Sequence, residues 1–301
     1  MTNSEYHIPV LLNDAVSGLN INPEGIYVDV TYGGGGHSKA ILEQLTSGKL
    51  IAFDQDLDAK ENVIADERLV FIGQNFSYLK NHLKMYGYIP VNGVLADLGV
   101  SSHQFDEGER GFSIRYDAKL DMRMNQNAEL SAWNVINEYE EDKLKQVLRS
   151  FGELNNAARL SRAIVQSREE SPLDTINDLR AAIERFAKRG KEHQFLAKVF
   201  QAVRIEVNGE LDVLKSLLEQ CAEVIQPGGR LVVISYHSLE DRLVKNFIKK
   251  GKFSGEVEKD FYGNQIRPFK EITRKPIAPD EKELQTNNRA RSARLRIAEK
   301  L

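Results

Sequence analysis

The chain has 301 residues, 41% of them hydrophobic and 28% charged. Its mean hydropathy is −0.42, which allows a sizeable core and is too polar for a membrane protein. No segment reaches the roughly 18–20 uncharged apolar residues of a spanning helix, and MTNSEYHIPVLLNDAV has no basic region ahead of an apolar run, which argues against a secretory signal. A single cysteine, Cys221, excludes an internal disulfide framework and a cysteine-rich zinc site. The expectation is a cytoplasmic globular protein. The net charge of −3 conceals an asymmetry, because residues 227–301 hold 17 Lys and Arg against 10 Asp and Glu, and the rest hold 24 against 34. A basic C-terminal quarter suits an anionic partner, and it suits a solvated surface about as well.

Taken in chain order, IYVDV (26–30), KLIAFD (49–54), LVFIG (69–73) and VNGVLAD (91–97) are apolar runs bounded by turn residues and read as strands. HSKAILEQL and LDAKENVIA between them suit short helices. The alternation predicts an α/β fold with a parallel sheet covered on both faces. A fifth strand, 231–236, follows a Pro-Gly-Gly turn and leads into a helix for which Ser238 and Asp241 look like a capping box. About a hundred residues separate the fourth and fifth strands beyond what a βαβ crossover needs. They carry helical spacing in AELSAWNVINEY, EEDKLKQVLRSFG, NNAARLSRAIVQSREES and TINDLRAAIERFAK, the last with Thr175 and Asp178 as a capping pair. The predicted organisation is a core over residues 1–104, a helical insertion over 105–199, and the rest of the core over 200–301. In the tail, Ala293, Leu295 and Ile297 alternate with Arg294 and Arg296, which suits a strand with one buried face.

Chemistry concentrates at the ends of the predicted strands. YVDVTYGGGGHS (27–38) places four glycines between a strand and a helix, where the backbone can turn tightly and approach a ligand. Asp54 ends the second strand about twenty residues on, where an acid can accept both ribose hydroxyls. The alternative is a flexible loop with a strand-end aspartate capping a turn. Asp29, four residues before the first glycine, would repel a pyrophosphate and attract a cation, and Ser38 stands where a dinucleotide fingerprint wants its third glycine. Both observations favour S-adenosylmethionine, with its sulfonium and ammonium, over NAD. Asp97 ends the fourth strand, where open parallel sheets bind ligands. A hydrolase reading of Ser101, Ser102, or His237 with Ser238 and Asp241 lacks the Gly-x-Ser-x-Gly elbow. The six histidines show no metal-ligand spacing, so no metal site is expected.

TYGGGGHS, LADLGVSSHQFD, FDEGERGFSIRYDAKLDMRM (105–124), FQAVRIEVNGEL (200–211), ISYHSLEDR (234–242) and NNRARSARLR (287–296) occur in this order. Together they resemble the bacterial small-subunit ribosomal RNA cytosine-N4 methyltransferases of the MraW type, and the likeness spans essentially the whole chain. The chain departs from the family pattern at Gly34, where the family varies, and at His103 and Lys119, where proline is common. The resemblance implies a class I (Rossmann-like) S-adenosylmethionine-dependent methyltransferase fold with an inserted all-helical domain for substrate recognition. It implies methyl transfer to the exocyclic amine of one cytidine in the decoding region of 16S ribosomal RNA. Carried over by position, the cofactor would meet Gly35, Gly36 and His37 in the loop, Asp54 at the ribose, Phe76 at the adenine, and Asp97 and Gln104 near the methionine. Asp97 is the first candidate to polarise the amine, with Asp117 and Asp121 behind it, and Phe105, Phe112 or Tyr236 would supply a ring to stack on the base.

The implied partner is small-subunit ribosomal RNA or the ribosomal subunit, with no membrane, and a homodimer is left open. Competing readings are a small-molecule methyltransferase, an NAD-dependent oxidoreductase and a non-catalytic RNA-binding module. The arginines Arg110, Arg115 and Arg123 beside a basic tail favour an RNA enzyme. Their plainer reading is surface ion pairing with Asp106, Glu107, Asp117 and Asp121.

Overall fold

The computed structural model describes residues 9–101, 104 and 108–301. The chain forms two compact units, Met1–Gly99 with Leu211–Leu301, and Val100–Glu210.

The first unit is built on a seven-stranded sheet of order β3-β2-β1-β4-β5-β7-β6. The strands are β1 (Ile26–Asp29), β2 (Lys49–Phe53), β3 (Leu69–Ile72), β4 (Val91–Asp97), β5 (Ile225–Ser235), β6 (Phe269–Glu271) and β7 (Arg294–Lys300). The first five pair in parallel, and β7 runs antiparallel to both β5 and β6. The near-continuous apolar runs of the inner strands follow from burial on both faces. Val94, Ala96, Leu231 and Val233 face one core with Leu79 and Leu83 of α3 (Leu79–Met85), Leu214, Leu217 and Leu218 of α9 (Glu210–Val224), and Val244 and Phe247 of α10 (Ser238–Lys250). Leu95, Val232 and Ile234, one residue out of phase, face the other core with Ala15 and Val16 of α1 (Leu12–Gly18) and Ile41 and Leu42 of α2 (Gly36–Leu42). The Pro-Gly-Gly turn lies within β5, where its pairing jumps from Val91↔Ile225 to Gly93↔Arg230. LDAKENVIA forms a short 3₁₀ turn, Leu57–Asn62, and not an α-helix.

Two local expectations change. His237, not Ser238, caps α10, exchanging hydrogen bonds with Glu240 in a capping box. Asp241 is thereby released to take a two-pronged hydrogen bond from Arg296, at 2.6 Å to Nε and 3.0 Å to Nη2. The tail strand is also not one-faced. β7 lies between β5 and β6, and Arg296 is only 6% exposed, while Arg294 stays in solvent. A strand inside the sheet has both faces covered, so alternation there places a guanidinium against a helix and not in water.

The second unit is helical, with α4 (Ala132–Glu138), α5 (Glu141–Gly152), α6 (Ala157–Glu170), α7 (Ile176–Ile183) and α8 (Glu192–Asn208). Leu144, Val147, Leu148, Leu160, Ile164, Leu179, Val199 and Val203 share one core. Ser131 with Asn134 and Thr175 with Asp178 form capping boxes at α4 and α7, each satisfying N–H groups that a helix start leaves open. The LDMRM segment is tied to α8, where Asn208 donates to the Met122 carbonyl and accepts from the Met124 N–H, both at 2.8 Å. The expected return to the sheet at residue 200 is therefore too early. Leu196, Val199, Phe200, Val203 and Val207 of α8 lie in the helical core, a three-to-four residue stripe that packs on α5.

Removing Asp241 leaves the Arg296 guanidinium buried without its carboxylate. We expect Asp241→Ala to cost about 3 kcal/mol of folding stability, the low end for a broken buried pair because Asp241 is partly open. Arg296→Met, which removes the charge and keeps the bulk, should cost clearly less in the same chemical denaturation experiment.

Candidate active site

The glycine run is a constrained turn. Gly33 and Gly35 hold φ of 51° and 74°, a region that other L-residues enter at a cost. A Cβ on Gly35 would stand 2.6 Å from the Tyr32 hydroxyl, and one on Gly36 would stand 2.2 Å from Pro9 Cγ, whereas Gly34 faces open space. Only Gly34 of these three could carry a side chain without a clash.

Asp29 is 1% exposed and accepts from the Thr31 N–H at 3.0 Å, the Thr31 hydroxyl at 3.4 Å and the Ser38 hydroxyl at 2.7 Å. It braces the turn against α2, and its charge adds to the negative field at Asp54 and Asp97. Asp54 accepts from the Gly33 N–H and the Asp56 N–H, both at 2.8 Å. Both carboxylate oxygens are thus oriented at the mouth of β2, with lone pairs left for hydroxyl groups. Burial first, then the charges of Asp56 and Asp29, push the Asp54 carboxyl up to about 6 against its two N–H donors. Phe76 begins a 3₁₀ turn, Phe76–Tyr78, just after β3, and its neighbour Asn75 donates to Gln55 beside Asp54 at 2.7 Å.

Asp97 stands at the end of β4, 22% of its side chain exposed. Its N–H donates to the Thr31 hydroxyl at 2.7 Å, and its Oδ1 accepts from the Tyr236 hydroxyl at 2.7 Å. Its Oδ2 lies 3.8 Å from His37 Nδ1, and His37 Nε2 is anchored on the Val10 carbonyl at 3.1 Å. Burial pushes the Asp97 carboxyl up to about 6; His37 and the Tyr236 hydrogen bond oppose that, and the charges of Asp29 and Glu240 add to it. Tyr236, one of the three rings offered for stacking on the base, is fixed beside Asp97 by this phenol bond. The register carries a signal for this contact, since Asp97 pairs with Ile234 and a residue two positions on lies just past the strand end.

The remaining expected residues belong to the helical unit. Gln104 is 4% exposed and exchanges hydrogen bonds with Ser101. Asp117 accepts from the Asn177 N–H at the start of α7. Asp121 forms a two-pronged pair with Arg123, at 2.8 and 2.7 Å, and Arg123 holds its carboxyl below the usual range against partial burial. Arg110 donates to the carbonyls of Arg123 and Met124. The plainer reading thus holds for Arg123, and Arg110 is a brace of this loop. Phe112 packs in the helical core, which removes it as a stacking ring. Ser102, His103, Phe105, Asp106 and Glu107 lie outside the described residues.

The first unit therefore brings Gly35, Gly36, His37, Asp54 and Asp97 to the carboxyl ends of adjacent strands. Asp29, Asp54, Asp97 and Glu240 make this region strongly negative, with the Asp54 and Asp97 carboxyls raised by burial and then by their acidic neighbours. Such a field opposes a pyrophosphate and suits a ligand carrying a sulfonium and an ammonium, so the residues fit S-adenosylmethionine. Sheet order, glycine turn and strand-end acids define a class I, Rossmann-like, S-adenosylmethionine-dependent methyltransferase. A family model described as the MraW methylase family matches residues 4–301, and the chain belongs to that family. It is 56% identical to ribosomal RNA small subunit methyltransferase H of Flavobacterium johnsoniae over 100% of this chain and 99% of that one. The protein of the same name from Christiangramia forsetii is 57% identical, over 99% and 98%. An rRNA methylase structure from Streptococcus thermophilus aligns over 96% of this chain and 93% of that one at 13% identity with a TM-score of 0.42, a likeness too loose to carry argument. No helix among the described residues is long and apolar enough to cross a membrane.

A carboxyl whose folded value exceeds its unfolded one opposes folding once it must ionise. For Asp97 the opposition is nearly absent below about pH 3, grows as the pH rises through 3.8 to about 6, and reaches its full size above that. We expect Asp97→Asn to stabilise the cofactor-free protein by about 3 kcal/mol at neutral pH and by almost nothing near pH 3. Thermal unfolding of both proteins across that range measures it; a gain that persists at about pH 3 would assign the effect to packing.

Proposed function

We propose that this chain transfers the methyl group of S-adenosylmethionine to the exocyclic N4 amine of a cytidine in 16S ribosomal RNA, in the decoding region of the small subunit. The chemistry rests on one observation, the Asp97 carboxylate held by Tyr236 and His37 beside the glycine turn. The target rests on the full-length likeness to proteins named ribosomal RNA small subunit methyltransferase H. A substrate on the ribosomal subunit implies work in the bacterial cytoplasm.

The amine of cytosine is a weak nucleophile because its lone pair is delocalised into the ring. When bound, S-adenosylmethionine supplies an already activated methyl group. The protein's task is then placement of the nitrogen in line with the methyl at about 3–3.5 Å. In this reading Asp97 accepts a hydrogen bond from the amine, localising the lone pair and offsetting the positive charge that develops on nitrogen. Tyr236 and His37 fix the carboxylate beforehand. Asp54 takes the ribose hydroxyls, Phe76 lies by the adenine, and Gly35 and Gly36 let the backbone approach. Asp117 and Asp121 remain reserve candidates, but one braces α7 and the other is committed to Arg123. The base must be unpaired or flipped out to reach Asp97.

Incubation with labelled S-adenosylmethionine and unmodified small subunits or naked ribosomal RNA, followed by digestion, should give N4-methylcytidine as the labelled nucleoside. A different labelled nucleoside overturns the assignment. Asp54→Ala should weaken cofactor binding at least about tenfold, the scale of lost charge-assisted hydrogen bonds, while calorimetry shows a folded protein. Asp97→Asn should lose most single-turnover methyl transfer at saturating cofactor.

A further inference from the structure

Beyond the strand ends, the first unit carries an exposed feature that the methyl-transfer chemistry does not use. Residues 258–266 form a small antiparallel turn, with the Ile266 N–H donating to the Glu258 carbonyl at 2.9 Å and an isolated bridge between Lys259 and Gln265. The tip is built around Asp260. Its Oδ1 accepts from the Tyr262 N–H at 2.9 Å and the Asn264 N–H at 2.8 Å, and its Oδ2 accepts from Asn264 Nδ2 at 2.9 Å. Gly263, at φ 87°, closes the turn with a bond to the Asp260 carbonyl at 3.0 Å.

This framework presents two aromatic rings to solvent. Phe261 is 99% exposed and Tyr262 86% exposed, with ring centroids 5.7 Å apart and planes at 87°. Ile266 adds a further open apolar side chain. A lone exposed apolar residue needs no explanation, but adjacent rings on an ordered tip expose apolar area that folding alone would bury. The surrounding charge is positive, since residues 249–275 hold eight Lys and Arg against four Asp and Glu. Lys259, Arg267, Lys270, Arg274 and Lys275 make no ion pair with any described residue. A protein partner of ordinary composition has no need of unpaired cations around two rings. Aromatic faces set among free cations match unpaired bases on a phosphate backbone.

We propose that the 258–266 turn is a single-stranded RNA contact, in which Phe261 and Tyr262 stack on unpaired bases and Lys259 and Arg267 meet the adjacent phosphates. It rests on the reading of the chain as an RNA methyltransferase and adds a holding surface to it. The rings recognise base faces without sequence, so the turn contributes affinity and register and leaves choice of cytidine to the site.

The test uses the full chain and two probes, transcribed small-subunit ribosomal RNA and a short single-stranded RNA oligonucleotide. Wild-type methyl transfer to the ribosomal RNA tests the functional reading separately. Against that baseline, Phe261→Leu with Tyr262→Leu, which keeps apolar bulk and removes the π faces, should weaken binding of both RNAs roughly tenfold or more. Cofactor affinity and thermal midpoint should be unchanged, and Phe261→Tyr should restore binding in the presence of Tyr262. Lys259→Gln with Arg267→Gln should flatten the salt dependence of oligonucleotide binding by about 1.4 units of logarithmic slope. RNA affinity and salt slope equal to wild type in both double variants overturn the proposal. So does sedimentation showing that the leucine variant dissociates a dimer while its RNA affinity is kept, which would make the rings a self-interface.

Discussion

Four carboxylates gathered around the carboxyl ends of β1, β2 and β4 and the start of α10 are the constraint on which the rest of the first unit depends. Like charges in a partly closed site repel, and burial adds to the cost of ionising them. The fold tolerates the crowding by giving each carboxylate fixed donors. Asp29 takes two hydroxyls and an N–H, Asp54 two N–H groups, Asp97 a phenol, and Glu240 the Tyr236 N–H and the His237 N–H. These donors hold the oxygens in place without neutralising them, so Asp54 and Asp97 stay raised to about 6. A cationic ligand relieves the repulsion; a phosphate would add to it. Ligand class follows from electrostatics that no single residue carries.

The same donors join elements far apart in sequence. Tyr236 follows β5 and reaches Asp97 after β4; Ser38 in α2 reaches Asp29 at the end of β1; His37 is pinned by Val10. Parallel strands make this possible because they all end on one edge, so loops that are remote along the chain converge there. The glycines serve this convergence in different ways. Gly35 and Gly36 leave room for Tyr32 and Pro9, and Gly34 faces open space. The antiparallel β7 has a separate role. It carries Arg296 inside the sheet and locks the first turn of α10 through Asp241, next to the Glu240 that receives the N–H groups of Tyr236 and His237.

The helical unit shows how a motif that looks catalytic can be architectural. LDMRM contains an acid and an arginine in the most distinctive stretch of the chain. In the structure Leu120 and Met122 are buried, Asp121 holds Arg123, and Asn208 clamps the backbone on either side of Arg123. Met122 sits at φ 57°, a strained value for a long side chain kept by the Asn208 clamp. The segment is a loop shaped by its own hydrogen bonds, with Arg115 and Asp117 left on its exposed side.

Elements whose evidence is local were legible along the chain. Apolar runs bounded by turns marked β1 to β4, three-to-four residue spacing marked α4 to α7, and Thr175 with Asp178 marked a cap, because each depends on neighbours within a few residues. The family was legible too, since long motifs in fixed order leave little room for coincidence. Tertiary structure alone decided the rest. Whether α8 belonged to the sheet or the insert turned on which core its apolar stripe met. Whether Arg296 faced water turned on β7 lying inside the sheet. Whether the Tyr236 phenol reached Asp97 turned on the register of β5 against β4. In each case the side chain's pattern along the chain fits both outcomes, and only the neighbour across the sheet or core, distant in sequence, selects between them.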